Sequence, residues 1–205
     1  VDFDGIELEG IQRISLDDIR QAADMGYKIK LLGVAQMTGR GLEQRMSPCL
    51  VPAASPLGQL EGGTNMVVIE GDAVGQIVIR GAGAGEGPTA SAVMGDVCDI
   101  ARGFRLSVFG QPATSLTAAP RAQSVLPARM TLRDKPGALA KVAAILGNAG
   151  VSIHRMRQYD HVDDKAPVLI VTHKTTRSAL DEALEAIAAT DVVTDAPVAL
   201  RIESV

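Results

Sequence analysis

The sequence predicts an α/β (or α+β) fold in two parts, a partial mixed sheet followed by a small ferredoxin-like domain. Residues 1–103 combine many glycines with short β-type runs, which favours a sheet with tight turns. Residues 127–205 alternate strand and helix patterns in the order βαββαβ, the split βαβ arrangement. Hydrophobic residues at 46% and charged residues at 21% are typical of a chain with a real core. Residues 104–126, with two prolines and no sustained period, are predicted to form a connector.

The composition excludes several classes of function. A net charge of −4 provides no basic footprint for nucleic acid. No apolar run approaches the roughly 18 residues that cross a bilayer, and no signal-peptide pattern is present. Cys49 and Cys98 form neither a CxxC pair nor a metal-ligand pattern. We therefore expect a reduced, cytoplasmic setting, with no membrane or nucleic-acid partner and no metal site.

The first predicted helix spans residues 15–26. Ser15 is its expected N-cap, with Asp18 in the position of a capping-box acid. Gly26 is the expected C-terminal stop. The helical period assigns one inward face to Ile19, Ala22 and Ala23.

Strands and a second helix are predicted to follow. The expected strands are 28–35, a weaker one at 44–52, and a hairpin of 65–71 with 75–81. Thr89 is predicted to cap the next helix. The apolar side of that helix is expected to carry Val93, Val97 and Ile100.

The elements of residues 127–205 are predicted from period and turn residues. The strands are expected at 128–134, 151–158, 167–174 and 197–204. The first helix has an apolar stripe of Leu139, Val142, Ala143 and Leu146. The second helix, at about 176–190, is predicted to direct Leu180, Ala183, Leu184 and Ile187 inward.

The first part carries a specific series of motifs. It reads LEGIQRISLDDIRQAADMGYKIKLLGVA, followed by SPLGQLEGGTNMVVIEGDAVGQIVIRGAGAGEGPTASAVMGD. This order resembles the later half of the catalytic domain of homoserine dehydrogenases, with its G-Y-x-I-K-L-L-G strand and G-x-G-A-G turn. The chain begins with Val and shows no G-x-G-x-x-G after a strand. We therefore interpret it as a C-terminal fragment without the Rossmann domain.

The resemblance implies a parent enzyme that interconverts L-aspartate 4-semialdehyde and L-homoserine with NAD or NADP. This reaction belongs to the biosynthesis of threonine, methionine and isoleucine. The family's substrate motif is absent here, so no residue is assigned a catalytic role and the fragment is expected to be inactive. In the family the catalytic sheet also builds a subunit interface, which implies a homodimer or a higher homo-oligomer.

The glycine-rich turn at residues 81–89 is the expected remnant of the cofactor site. Its glycine spacing matches neither the dinucleotide fingerprint nor a P-loop. By itself, such a turn is explained by packing at the end of a strand. In homoserine dehydrogenases this turn faces the nicotinamide, and the resemblance assigns that contact to Gly85. Because this turn is only one half of the cofactor site and the Rossmann domain supplies the other, we expect no measurable affinity of the fragment for NADPH.

The motif RDKPGALAKVAAILGNAGVSIHRMRQ marks a second candidate site. A purely structural reading of the motif expects Asp134 to cap a helix and Pro136 to occupy the first helical turn. It expects Gly137 to allow close approach of another group. The same motif resembles the ACT domain, whose hallmark is D-x-P-G-x-L between the first strand and helix. ACT domains are a common C-terminal appendage of homoserine dehydrogenases.

The ACT resemblance implies allosteric regulation by an amino acid. ACT domains pair side by side and bind amino acids at the interface, and L-threonine, the pathway product, is the expected effector. The resemblance places the ligand between a loop and the start of the second strand. The loop residues are Asp134, Pro136, Gly137, Ala138 and Leu139, and the opposite residues are Asn148, Val151, Ser152 and Ile153.

An alternative remains open, namely a binding module without an enzymatic role. The chain would then act alone as an amino-acid-binding regulatory or oligomerisation unit.

Its three histidines, His154, His161 and His173, are too scattered for a metal set. The preference for NAD or NADP cannot be predicted, because the residues that contact the ribose lie in the Rossmann domain.

Overall fold

A computed structural model describes residues 6–105, 110, 116–119, 123–159 and 164–204. The chain forms an N-terminal lobe and a C-terminal lobe, and the predicted α/β class is confirmed. The elements of the N-terminal lobe are β1 (Glu7–Leu8), α1 (Leu16–Asp24), β2 (Tyr27–Thr38), β3 (Gly41–Pro52), β4 (Thr64–Gly71), β5 (Gly75–Ala82) and α2 (Glu86–Ala101).

The C-terminal lobe has the predicted βαββαβ order. Its elements are β6 (Gln123–Arg133), α3 (Ala138–Asn148), β7 (Ile153–Gln158), β8 (Lys165–Thr176), α4 (Arg177–Ala188) and β9 (Val198–Ala199). The strands lie in the order β7-β8-β6-β9, and every pairing is antiparallel. This order, with the last strand beside the first and the second strand at the opposite edge, confirms the ferredoxin-like arrangement.

The core of the C-terminal lobe lies between its sheet and its two helices. Met130, Val168 and Ile170 are fully buried on the helix-facing side of the sheet. The predicted inward face of α4 is confirmed, since all four of its residues are buried. In α3 the buried residues are Ala138, Val142 and Leu146. Among the side chains that the structure describes, fourteen buried residues form this cluster, which gives the lobe its own apolar core.

Strand β3 is the centre of the N-terminal sheet. Strand β2 pairs with it antiparallel from Tyr27↔Pro52 to the two-residue turn at Thr38↔Gly41. On the other edge of β3, β1 pairs in parallel with Arg45 and Met46. The short strand β10 (Arg201–Ile202) follows on that same edge, beside Cys49 and Leu50. The two ends of the described chain thus meet on one strand.

The prediction of a single closing strand at 197–204 was wrong. Val198 and Ala199 pair with β6, but Arg201 and Ile202 cross over to β3. Leu200 lies between the two pairings and is buried. It packs with Ala22, Leu50 and Val198 in an apolar cluster that joins the lobes. Burial of this cluster favours the crossover over a longer β9.

Helix α1 has the predicted cap but a different inward face. Ser15 accepts from the Asp18 amide at 3.2 Å, and the Asp18 carboxylate accepts from the Ser15 amide at 2.7 Å, which confirms the capping box. Ile19, however, is 49% exposed, and Ala23 is also exposed. The buried residues are Asp18, Gln21 and Ala22. The C-terminal lobe covers this side of α1, which the apolar pattern alone did not indicate.

Helix α2 begins earlier than predicted. Gly85 is its N-cap and Glu86 its first residue, so the prediction of a Thr89 cap was wrong. Glycine provides the positive φ that the turn into the helix needs. No residue of α2 is buried, and Val93, Val97 and Ile100 are 50–76% exposed. The predicted apolar side therefore exists, but no described residue covers it.

The β4–β5 hairpin is confirmed, and it also exposes apolar side chains. Its register runs from Thr64↔Ala82 to Gly71↔Gly75. Every residue of β5 is exposed, including Ile77 and Ile79. We call the exposed apolar residues of β4, β5 and α2 together the open face. Large exposed apolar patches mark surfaces that bind other protein segments.

The two cysteines are expected to differ sharply in reactivity. Cys49 is fully buried in β3, and its burial raises the pKa of the thiol above the ordinary value. Cys98 is exposed on α2. Because the thiolate is the reactive species, alkylation at pH 8 should modify Cys98 quickly and Cys49 only on unfolding. Mass spectrometry of tryptic peptides would measure both rates, and rapid labelling of Cys49 would contradict the packing of β3.

Candidate effector cavity and cofactor-side turn

The turn between β6 and α3 is held by backbone hydrogen bonds. The Asp134 amide donates to the Asp164 carbonyl at 2.9 Å, and the Ala138 amide donates to the Lys135 carbonyl at 3.1 Å. Gly137 has φ +86° and is the N-cap of α3. No side chain caps this helix start. The Ala138 amide already donates to Lys135, which leaves the next amides of the first turn without a capping side chain.

Two structural expectations for this turn were wrong. Asp134 is not the N-cap, because α3 begins only at Ala138. Pro136 precedes the helix and does not occupy its first turn. The physical reason is Gly137, whose left-handed conformation places the N-cap three residues after Asp134. A Cβ at Gly137 would meet no described atom within 4 Å, so the expected close approach of another group there stays a prediction.

A solvent-open cavity of about 350 Å³ lies at this turn. Small-molecule sites are typically about 300–1,000 Å³, so the cavity suits a small ligand. Five predicted effector residues line it: Asp134, Pro136, Gly137, Ala138 and Leu139. The remaining walls, which the sequence reasoning missed, are Leu132, Arg133, Lys135, Gln158 and Ala166.

The other four predicted effector residues lie elsewhere in the same chain. Asn148 is the last residue of α3, whereas the cavity lies at the first. Eleven helical residues at 1.5 Å each separate the two ends by about 16 Å. Val151 is buried in the core, and the Ser152 carbonyl accepts from the His173 amide at 2.9 Å. One chain therefore does not bring the two predicted walls, 134–139 and 148–153, together.

Two of the three charged residues that line the cavity, Arg133 and Lys135, are basic, and the third is Asp134. Arg133 Nε donates to the Asp191 carbonyl at 2.9 Å, and Lys141 Nζ pairs with the Asp191 carboxylate at 2.7 Å. The hydrogen bond and charge of Lys141 lower the pKa of Asp191. Lys135 and Arg133 both line the cavity. Together with the uncapped start of α3, they favour a carboxylate over a cation at this wall.

Gly85 occupies a conformation that only glycine adopts readily. Its φ is +122° and its ψ is 155°. A Cβ would meet Pro88 at 3.5 Å, an ordinary contact, so the requirement for glycine comes from the backbone. The Gly83 amide donates to the Gly63 carbonyl at 3.1 Å and fixes the turn to β4. Gly85 is exposed at the start of α2, on the open face.

Asn65, near the start of β4, lies against the glycine-rich turn. Any side chain at Gly83 would collide with the Asn65 amide group. Asn65 pairs with Gly81 across the hairpin, and this register brings its side chain next to Gly83. Only the register of β4 and β5 reveals this contact.

The described residues contain neither a metal-binding cluster nor a membrane-spanning helix. Within 6–105, 110, 116–119, 123–159 and 164–204, no three His, Cys, Asp or Glu side chains are grouped to hold a metal ion. His154 and His173 contact each other edge to face, with ring centroids 4.9 Å apart. Among the helices described, none combines the length and apolar character needed to cross a bilayer.

The fold and the turn motif of the C-terminal lobe identify it as an ACT domain. Its ferredoxin-like sheet and D-x-P-G turn agree with a match of the ACT domain to residues 128–191. The homoserine dehydrogenase family matches residues 1–98. The chain belongs to the homoserine dehydrogenase family.

Individual relatives support the assignment over the whole chain. The homoserine dehydrogenase of Neisseria gonorrhoeae is 37% identical over 216 residues, covering 100% of this chain and 50% of the relative. That of Mycobacterium leprae is also 37% identical, with 100% and 50% coverage. The chain thus spans about half the length of the curated relatives it matches.

Solved structures agree with the fold. The crystal structure of a homoserine dehydrogenase from Thiobacillus denitrificans has a TM-score of 0.85 at 32% identity, covering 98% of this chain and 48% of that one. Staphylococcus aureus homoserine dehydrogenase has a TM-score of 0.64 at 22% identity, with 100% and 49% coverage, and supports the fold alone.

Two glycine substitutions on α3 should have opposite effects on stability. Gly137→Ala places a side chain at φ +86° and should reduce the free energy of unfolding by about 1 kcal/mol. Gly147→Ala, inside the helix with open space around its Cβ, should increase it by about 0.4–1 kcal/mol. Urea denaturation would measure both. A loss at Gly147 equal to that at Gly137 would contradict the assigned turn conformation.

Proposed function

We propose that the chain is the C-terminal part of an NAD(P)-dependent homoserine dehydrogenase and carries a regulatory amino-acid site. The parent reaction interconverts L-aspartate 4-semialdehyde and L-homoserine. The N-terminal lobe contributes the cofactor-side turn at Gly85, and the C-terminal lobe senses L-threonine. The observation that carries the regulatory proposal is the cavity of about 350 Å³ at the β6–α3 turn.

The chain alone is proposed to be inactive because its cofactor-side turn is incomplete as a site. Gly85 is exposed, and no residue of α2 or β5 is buried. Relatives of about twice the length supply a further half, and we propose that this half covers the open face and completes the cofactor site. NAD or NADP would then approach the Gly85 backbone, where any Cβ is strained.

The cavity suits the zwitterionic part of an amino acid. The uncapped amides of α3, with Lys135 and Arg133 nearby, suit a carboxylate. The Asp134 carboxylate and the Gln158 amide oxygen can accept hydrogen bonds from an ammonium group or from a hydroxyl. L-Threonine has all three groups, which is why it remains the leading effector.

A second copy would unite the two predicted walls. Strand β7 is an edge strand that pairs only with β8 among the described strands, and His154 to Gln158 are exposed. If β7 pairs antiparallel with its copy about its midpoint, Ile153 of the second copy lies opposite Gln158. The region 148–153 of one chain then borders the cavity of the other. We therefore propose a homodimer with the effector bound between two chains.

Reconstitution tests the enzymatic proposal. Co-expression with the N-terminal half of the Neisseria gonorrhoeae relative should yield NADPH-dependent reduction of L-aspartate 4-semialdehyde, whereas the chain alone shows none. In that assembly Gly85→Ala should reduce kcat/KM by about tenfold or more, since its φ of +122° strains any Cβ.

Gly87→Ala is the matched control, because a Cβ there meets nothing within 4 Å. Its kcat/KM should stay within about twofold of the unmodified assembly, as for most exposed helix substitutions. Equal losses at both glycines would remove the special role of Gly85. Saturation-transfer NMR with NADPH on the isolated chain adds a second readout, and a specific signal there would contradict the proposed half-site.

Complementation tests whether the effector site spans two chains. Asp134→Lys alters the loop wall and Ser152→Trp blocks the strand wall, and both residues are exposed. Each variant alone should lose L-threonine binding in a calorimetric titration. A refolded mixture should regain part of it, because each mixed dimer holds one site with two unmodified walls.

The complementary outcomes separate the alternatives. Retained binding by Ser152→Trp alone would show that one chain carries the whole site. Absence of binding by the unmodified chain at millimolar L-threonine would reject the effector itself. If ligand binding and dimerisation are found but reconstitution fails, the chain is a binding module without an enzymatic role. The self-contained core of the C-terminal lobe is the observation that keeps this second function open.

A further inference from the structure

A network of charged side chains lies where the two lobes meet. We call it the interlobe clasp, and it joins β1, β3, β10 and α4. Its eight members, five acidic and three basic, form three neighbouring groups of ion pairs. They are Glu7, Glu9, Glu43, Arg45, Arg177, Asp181, Arg201 and Glu203.

Arg201 forms the centre of the clasp. It is charged and only 1% exposed. Its Nη2 atom donates to both carboxylate oxygens of Glu7, at 3.0 and 3.1 Å. Arg201 lies on β10 and Glu7 on β1, two strands that pair with the same edge of β3, so this ion pair anchors in the N-terminal sheet the segment that follows β9.

Arg45, on β3, forms a second group of ion pairs in the clasp. Its Nη2 atom lies 2.6 Å from Glu203 Oε1, and it also pairs with Glu43. Arg45 and Glu43 are 6% and 7% exposed. The Glu203 amide donates to the Leu50 carbonyl at 2.9 Å, which extends the pairing of β10 with β3.

Arg177 brings α4 into the same network. Its Nε atom donates to Asp181 at 2.8 Å, and its Nη1 atom lies 3.5 Å from Glu9. Burial by itself would lower the pKa of Arg177. The hydrogen bond to Asp181 and the charges of Asp181, Glu9 and Glu7 outweigh it and raise the pKa. The guanidinium therefore stays charged between the two lobes.

We propose that the interlobe clasp couples the two lobes mechanically, so that a change in α4 or β10 moves β1 and β3. Buried ion pairs tolerate little displacement, because separating the partners leaves a charge without compensation in a poorly solvated site. A shift of the C-terminal lobe must therefore either carry Glu7 and Glu9 with it or break the clasp. The role in signalling rests on the proposed effector site, whereas the coupling can be measured without a ligand.

Native-state hydrogen exchange of the 205-residue chain tests the coupling. Leu146→Ala removes a fully buried side chain from the core of the C-terminal lobe. It should accelerate the slowest amides of β8 by about 30-fold or more. If the clasp couples the lobes, the slowest amides of β3 should accelerate by a similar factor. In a Glu7→Gln/Arg201→Met background, the acceleration should stay within the C-terminal lobe.

The control is an ion pair outside the clasp. Asp17 and Arg20 on α1 are 3.2 Å apart, with more than 70% of each side chain exposed. Asp17→Asn/Arg20→Met should leave the response of β3 unchanged. If the double clasp variant does not fold, Glu203→Gln provides a milder test, because its amide oxygen can still accept from Arg45.

Two results would overturn the proposal. If Leu146→Ala never affects β3 in the unmodified background, the lobes are independent. If β3 still responds fully in the Glu7→Gln/Arg201→Met background, the central pair of the clasp does not carry the coupling, and the apolar cluster of Ala22, Leu50, Val198 and Leu200 does. Threonine binding takes no part in either result, so failure of the effector proposal would remain distinguishable.

Discussion

The architecture depends on one requirement, the neutralisation of a guanidinium that is 1% exposed. A buried charge is tolerated only beside a partner of opposite sign. For Arg201 that partner is Glu7, 194 residues away in the sequence. The two strands that carry them must therefore lie end to end on one edge of β3. The crossover that places Arg201 beside Glu7 also buries Leu200 in the apolar cluster with Ala22 and Leu50.

Much of the fold follows from local patterns in the sequence. The period of α4 predicted all four of its buried residues, and Ser15 with Asp18 predicted the cap of α1. The final strand could not be predicted in the same way. Residues 197–204 alternate like a single strand, and nothing local indicates that Leu200 crosses between sheets. Contacts between distant segments decide such cases, and the exposed Ile19 has the same explanation.

The candidate site shows the same division. The D-x-P-G motif located the cavity, because the turn itself supplies five of its lining residues. Gln158 and Ala166 join it only through the pairing of β7 with β8 and of β8 with β6, which no motif records. Helix length, in turn, separates the cavity from Asn148 and Ser152. On α2, the apolar period was predicted correctly, but its partner is not among the described residues.

The separation of the two effector walls by the length of α3 has a thermodynamic consequence. A site that is complete only when two chains meet links occupancy to association by mass action. By reciprocity, the ligand strengthens self-association by the same factor by which self-association strengthens ligand affinity. Apparent affinity would then rise with protein concentration. The abundance of the protein in the cell would thus set its sensitivity to the effector, without any change in the cavity.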